Sequence, residues 1–351
     1  MIKDNKLISN CEKNLKSSFE KAIEPDLPIC DTHHHLWHHP ESVYSVSIED
    51  HYSLQEFLND ISGGHKIIQT VYAHMGTEYK KHGRNEMRPV GETEFVASIT
   101  AQCFSDPQTS PKVAAGIVGF ADLTLGDAVV PVLEAHINAG AGRFRGVRLS
   151  ACWDLNESIP SRAPARMLFD TEFRKGFKYL QKYNLSFDTW QYFTQLTDVV
   201  DLARTFSDTQ IIVNHFGGPL FTGPYSSRRE EVLYEWKRGI NALAECPNVS
   251  IKLGGFGLHY LGFDFYERAV QPNSTEVARA VAPFCLYCIE SFGTNRCMLE
   301  SNYPIDKSAY SYTVLWNAFK IITNHFSHSE KVNLFYNNAV KIYRLTSNIQ
   351  L

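Results

Sequence analysis

Short runs rich in β-branched and aromatic residues recur along this chain, and each is followed by a stretch with helical spacing. The strand-like runs lie at 29–37 (ICDTHHHLW), 66–75, 113–123, 144–151 (FRGVRLSA), 185–192 (LSFDTWQY), 210–216 (QIIVNHF), 249–257 (VSIKLGGFG) and 296–304 (RCMLESNYP). Helical spacing or helix-start signals occupy 53–61, 92–104, 127–138, 169–183, 195–206, 226–244, 274–291 and 310–324. A last stretch, 329–345, reads as one more helix closing the chain. Parallel strands need crossover connections, and helices are the usual ones. Eight such alternations predict an α/β fold, a closed (β/α)8 TIM barrel. The rival, a doubly wound open sheet, would need a phosphate-binding glycine fingerprint that this sequence lacks. Residues 26–351 read as a single barrel domain, and 1–25 as an N-terminal arm, packed on the barrel or on a partner or simply mobile.

Three segments break the rhythm. Residues 76–91 are polar and glycine-bounded, 217–225 read GGPLFTGPY, and 259–273 form another long connection. They follow strands two, six and seven, on the C-terminal face where barrels of this type place chemistry. Ordered loops there suit a substrate lid.

Composition narrows the function classes. The 34 basic and 38 acidic residues give a formal net charge of -4, with no basic stripe, so no nucleic-acid partner and no anionic membrane surface is expected. No window approaches the roughly 20 apolar residues of a membrane helix. The eight cysteines are scattered, and the one close pair, Cys285 and Cys288, lies in an apolar segment without a second thiol pair. That pattern predicts reduced core residues, and the polar start has no signal-peptide core, so the expected compartment is the cytoplasm.

Candidate chemistry gathers at strand ends. His33 and His35 are two apart on strand one, so both side chains leave the same face and can reach one ion. The same residues could equally hydrogen-bond inside the barrel. His215 ends strand six, just before two glycines and Pro219. Strand eight ends in LESNYPID, which offers Asn302 and Asp306. Asp306 is a candidate general base, or a cap for the following helix.

Asp31-Thr32-His33-His34-His35 with Leu36-Trp37, Asn214-His215-Phe216-Gly217-Gly218-Pro219, and Glu300-Ser301-Asn302-Tyr303-Pro304 together resemble the amidohydrolase superfamily. The closest likeness is to its amidohydrolase family 2 branch of metal-dependent TIM-barrel hydrolases, which includes sugar-acid and dicarboxylate lactonases and, more distantly, decarboxylases. The resemblance runs from about Pro28 to Leu345. It implies that His33, His35 and His215 are metal ligands or orient the reacting carbonyl, with one divalent ion, zinc, as cofactor. A metal-free lactonase is the alternative. Asn302 stands where many members have the water-activating aspartate, and an amide cannot accept that proton. Strand five lacks the histidine that completes a binuclear site, offering Asp188 and Gln191 instead.

Other polar groups fill out the candidate site. Arg148 in strand four would bind a substrate carboxylate or carbonyl, or pair internally with Asp188. Lys252 in strand seven would polarise a carbonyl or snorkel outward. Asp188 is the second candidate base, or an orienting partner for the histidines or Arg148. Tyr72, His74, Trp190 and Tyr303 are expected in the pocket wall. The leading expectation is a hydrolase that opens a lactone or related cyclic ester of a small polar acid. The rivals are a metal-dependent non-oxidative decarboxylase of an aromatic or unsaturated acid, and a barrel that binds a metabolite without turnover. The partner expected is a small molecule, and the arm makes a homodimer plausible.

Overall fold

The computed structural model describes residues 19–38, 51–106 and 111–347. Eight parallel strands, β1 (Pro28–His34), β2 (Lys66–Ala73), β3 (Lys112–Gly119), β4 (Phe144–Ser150), β5 (Ser186–Trp190), β6 (Ile211–Val213), β7 (Val249–Leu253) and β8 (Cys297–Leu299), pair in sequence order. Closure between β8 and β1 runs just past the strand ends, where His35 N donates to Tyr303 O and Asn302 N to His33 O, both at 2.8 Å. The expected (β/α)8 TIM barrel is therefore the fold, with its active-site face and its floor set by particular residues.

Helices α1 (Leu54–Ile61), α2 (Val90–Ile99), α3 (Val130–Ala139), α4 (Thr171–Lys182), α5 (Leu196–Thr205), α6 (Arg229–Ala244), α7 (Ser274–Phe292) and α8 (Tyr312–Ile322) are the crossovers and the outer layer. Their starts follow local chemistry. Asp170 caps α4 by accepting from Phe173 N, Asn273 and Glu276 form a capping box at α7, and Ser311 caps α8.

The expected closing helix is present as one continuous run with a π turn inside it. It runs as α9 (His328–Val332), a π-helical turn (Asn333–Asn337) and α10 (Asn338–Ile342). The extra residue of a π turn offsets the helix faces. Here Tyr336, Ala339 and Tyr343 pack with Cys30, Val71, Val118, Ile212 and Met298 inside the barrel. Asn338 Nδ2 donates to Thr294 O and Cys297 O, which fixes this plug at the N-terminal end of β8.

A β-bulge decides which histidines face inward. Asp31 pairs with Thr70 and His34 with Tyr72, so three steps along β1 match two along β2. Cys30 is an interior residue, and strict alternation would send His34 inward with it. The bulge reverses the phase. His34 instead stacks on Phe57 of α1 with ring centroids 4.2 Å apart, and His33 and His35 turn to the interior.

Of the arm, residues 19–25 lie within the described part, and residues 1–18 lie outside it. The visible piece is strapped across α7 and α8. Glu20 accepts from Ser274 N and Asn317 Nδ2, and Lys320 Nζ donates to the carbonyls of Ile23 and Glu24. The seven cysteines among the described residues are unpaired and buried, and no described helix is long and apolar enough to cross a membrane.

Candidate active site

The ends of β1, β6 and β8 bring three histidines together. Ring centroids lie 4.9 Å apart for His33 and His35, and 4.8 Å apart for His33 and His215. His215 opens a left-handed turn, with φ of 51° at His215, 42° at Phe216, 76° at Gly217 and 55° at Gly218. Left-handed backbone at two non-glycine residues costs on the order of 1–3 kcal/mol each, and such strain concentrates at functional sites. Trp236 Nε1 holds the turn by donating to Phe216 O at 2.8 Å. Asn302, across the mouth, is likewise left-handed with φ of 56°.

The glycines of LGGFG, after β7, make room for this group. A Cβ on Gly254 would lie 2.4 Å from Glu300 Cγ, one on Gly255 2.4 Å from His215 Nδ1, and one on Gly257 2.8 Å from Asp306 Cγ. Gly254 and Gly255 accommodate Glu300 and His215 of the site, and Gly257 accommodates Asp306 beside it.

Glu300 is the centre of the arrangement. Its Oε1 accepts from His215 Nδ1 at 2.7 Å and from His215 N at 3.0 Å. Its Oε2 lies 2.8 Å from His33 Nδ1, out of line for a formed hydrogen bond. Burial alone would push Glu300 up, but His215 and Lys252 together hold it below the usual carboxylate range. His33 and His35 are driven well below the ordinary imidazole value by burial, with the cations Lys252 and Arg148 adding at His33 and Arg148 at His35, so both rings are neutral. At His215 burial outweighs the neighbouring Glu300 and also lowers the value. His35 Nδ1 faces Ala73 O at 2.8 Å, and its Nε2 faces Asn302 Oδ1 at 3.3 Å. Both partners are carbonyl oxygens that only accept, so the neutral ring donates to one of them, and the shorter contact favours Ala73 O.

Both ring nitrogens of His33, Glu300 Oε2 and Asp188 Oδ1 are buried without a hydrogen-bond partner. Buried polar atoms are costly when unpaired, and a cluster of them marks a place built to hold something polar. Among the described residues, His33, His215 and Glu300 offer one ligand-type atom each, all within 4.8 Å of one another. This donor set fits one divalent cation. His35, the third ligand expected from the sequence, is not in this group, and Glu300 is.

Below the histidines lies a charged column. Lys252 Nζ is 2.8 Å from Asp188 Oδ2, and the same oxygen accepts from Tyr343 OH at 2.8 Å and Asn214 Nδ2 at 3.1 Å. Lys252 does not snorkel: it and Asp188 are both wholly buried. With Asp188 so occupied, the alternative ion pair to Arg148 is not formed. Arg148 donates instead to Asn214 Oδ1 at 3.2 Å and His74 O at 2.5 Å. Both acceptors are neutral, and among the described residues this buried guanidinium has no carboxylate partner.

Several expected site residues lie elsewhere. Asp306 accepts from Asn302 Nδ2 at 2.7 Å, Tyr310 OH at 2.5 Å and Gly257 N at 3.0 Å, and it caps no helix. Burial raises it to about 7, but its bonds fix Asn302 and the β7 loop, with no contact to a histidine. Tyr72 points to the helix side of β2, where its hydroxyl meets Glu92 at 2.5 Å. Tyr303 packs on Tyr312 and donates to Tyr310 O, so neither tyrosine lines the mouth. Gln191 is bonded by Thr189 Oγ1, on the face of β5 opposite Asp188. Trp190 does belong to the wall, with its ring 4.8 Å from that of His215 and stacked on Tyr260 of the β7 loop. His74 borders the site through its carbonyl, while its ring is held between Tyr79 and Phe120.

Residues 30–345 match the family described as amidohydrolase. The chain belongs to that family. The amidohydrolase is 32% identical over 341 residues to the uncharacterized protein y4mH of Sinorhizobium fredii, covering 91% of this chain and 99% of the relative. It is 22% identical over 233 residues to an L-fucono-1,5-lactonase of Burkholderia multivorans, covering 66% of this chain and 72% of that enzyme. Among solved structures it resembles an amidohydrolase from Burkholderia multivorans with bound HEPES, with a TM-score of 0.70 at 20% identity over 91% of this chain and 99% of that one. A structure from the same organism with bound zinc matches with a TM-score of 0.69 at 19% identity over the same shares.

Proposed function

We propose that this amidohydrolase opens the ring of a lactone that carries a carboxylate, by attack of water on the ring carbonyl at the mouth formed by His33, His35 and His215. The observation that carries the reading is Arg148, a buried guanidinium whose two bonds go to neutral oxygens. An anion in its reach would complete it, and a bidentate carboxylate is the best geometric match. The neutral histidines beside it supply acceptors for the protons of the incoming water. The lactonase relative supports the ester-opening chemistry, and the structure with bound zinc supports zinc as the ion that His33 and His215 would hold, beside Glu300. When bound, such an ion polarises a carbonyl and lowers the pKa of water.

The chain's own contribution is placement. Arg148 anchors one end of the substrate, Trp190 and Tyr260 close one side, and the three imidazoles face the reacting carbon. Holding water and ester in such a geometry removes much of the entropic barrier. The test is a panel of lactones with and without a carboxylate, followed by proton NMR for ring opening, alongside aromatic acids assayed for carbon dioxide. Ring opening that favours the carboxylated lactones supports the reading. Carbon dioxide release without ring opening would replace it with a decarboxylase.

A further inference from the structure

The histidines of the mouth share a feature that does not depend on which reaction they serve. Each has a group that can only accept a hydrogen bond behind its Nδ1. For His35 that group is Ala73 O at 2.8 Å. For His215 and His33 it is one carboxylate, Glu300, through Oε1 at 2.7 Å and Oε2 at 2.8 Å. A bare nitrogen lone pair facing a carboxylate oxygen would be repelled, so His215 Nδ1 carries the proton. At His33 the contact is out of line for a hydrogen bond, but the negative charge 2.8 Å from Nδ1 favours the proton on that nitrogen as well. A neutral imidazole has one N–H, which leaves Nε2 of each ring bare.

We propose that Glu300 is a positioning residue whose carboxylate fixes His33 and His215 as Nδ1–H tautomers, so that both present a bare Nε2 to whatever the mouth binds. Three features favour this role over that of a third metal ligand. Oε1 is already occupied by two N–H groups of His215, its amide as well as its ring. The His215 Nδ1–Oε1 separation of 2.7 Å matches a charge-assisted hydrogen bond of about 2.7–2.9 Å. Tetrahedral donors about 2.0–2.1 Å from a common zinc ion would stand farther apart. The strand also places it there for a reason: Glu300 directly follows β8 and is wholly buried, with Gly254 leaving space for its Cγ. A carboxylate is thus present at the end of β8, but behind the histidines, where it orients rings instead of touching the reacting atoms.

The consequence is chemical. A bare Nε2 binds a cation or accepts a hydrogen bond from water, and a protonated one does neither. Losing Glu300 would free both rings to adopt the other tautomer.

Full-length, metal-free protein labelled with 15N at histidine provides the test, with His33 and His215 assigned from single substitutions. In the wild type, both residues should show a protonated Nδ1 and a bare Nε2. In Glu300→Gln, whose amide can donate as well as accept, at least one ring should change tautomer, and Glu300→Asp should restore the wild-type pattern in part. Zinc titrated into Glu300→Gln should still bind, with weakened affinity. Protonated Nε2 on both wild-type rings would overturn the proposal, and so would unchanged tautomers in Glu300→Gln. Complete loss of zinc binding with unchanged tautomers would make Glu300 a ligand instead. If Glu300→Gln fails to fold, the wild-type and Glu300→Asp spectra still decide. Because the readout needs no substrate, failure of the lactonase reading leaves this result interpretable.

Discussion

Gly255 lies against the imidazole of His215 so closely that a Cβ on it would come within 2.4 Å of Nδ1. Its φ of 72° adds a backbone reason for glycine. Gly255→Ala is therefore expected to displace His215 while leaving the barrel folded. A misplacement of about 1 Å in a reacting group can cost about 100-fold in rate, and a loss of that order is expected here. Gly293→Ala is the control, because Gly293 has a similar φ of 74° but a Cβ placed on it would meet nothing within 4 Å. It should lose stability alone. Steady-state rates and thermal unfolding of the two variants separate the effects.

The Lys252–Asp188 pair is wholly buried beneath the site. Removing one partner of such a pair leaves an uncompensated charge and is expected to cost about 3–5 kcal/mol. Lys252→Met should show that loss in urea unfolding. Lys252→Met with Asp188→Asn should recover much of it, since the neutral amide keeps partners in Asn214 and Tyr343.

Glu92 gives a pH-dependent signature. Burial raises it from 4.5 to about 7, against the hydrogen bonds it takes from Tyr72, Met75 and Gly76. Between those values the native state holds a proton that the unfolded chain has released, so its contribution is complete below about pH 4.5 and fades as pH rises through 7. The stability difference between wild type and Glu92→Gln should therefore shift against the wild type from pH 5 to pH 7. Urea midpoints at both values check this, and a constant difference would contradict it.

Arg148 should discriminate among substrates. Arg148→Lys keeps a charge but loses the planar fork. KM for carboxylated lactones is expected to rise at least about tenfold, a loss of roughly 1.4 kcal/mol of binding. Neutral lactones should change little by comparison, and an equal rise for both kinds would show that Arg148 holds the barrel instead of the substrate.

The order and kind of the elements are legible in the sequence because each strand is a short apolar run and each helix has its own period and cap. His33, His35 and His215 are legible as strand-end histidines for the same reason. Glu300 is named in the strand-eight motif but carries no role there, because its inward direction and the space it fills depend on Gly254 and on the closure with β1. The i,i+2 spacing of Glu300 and Asn302 is the signal that could have found it. Tyr72 and Tyr303 lie away from the mouth because aromatic identity says nothing about strand face. Asp188 stands out in its strand, but its partners Asn214 and Tyr343 come from distant parts of the chain. The π turn that brings Tyr343 there has no period of its own.

The three histidines of the mouth are proposed to serve lactone hydrolysis. The most direct measurement is the rate of ring opening of a carboxylated lactone by wild type, His35→Ala and His215→Ala, each shown to be folded by circular dichroism. Turnover by the wild type and its near-complete loss in both variants are expected. Full activity in the folded variants would contradict that proposal.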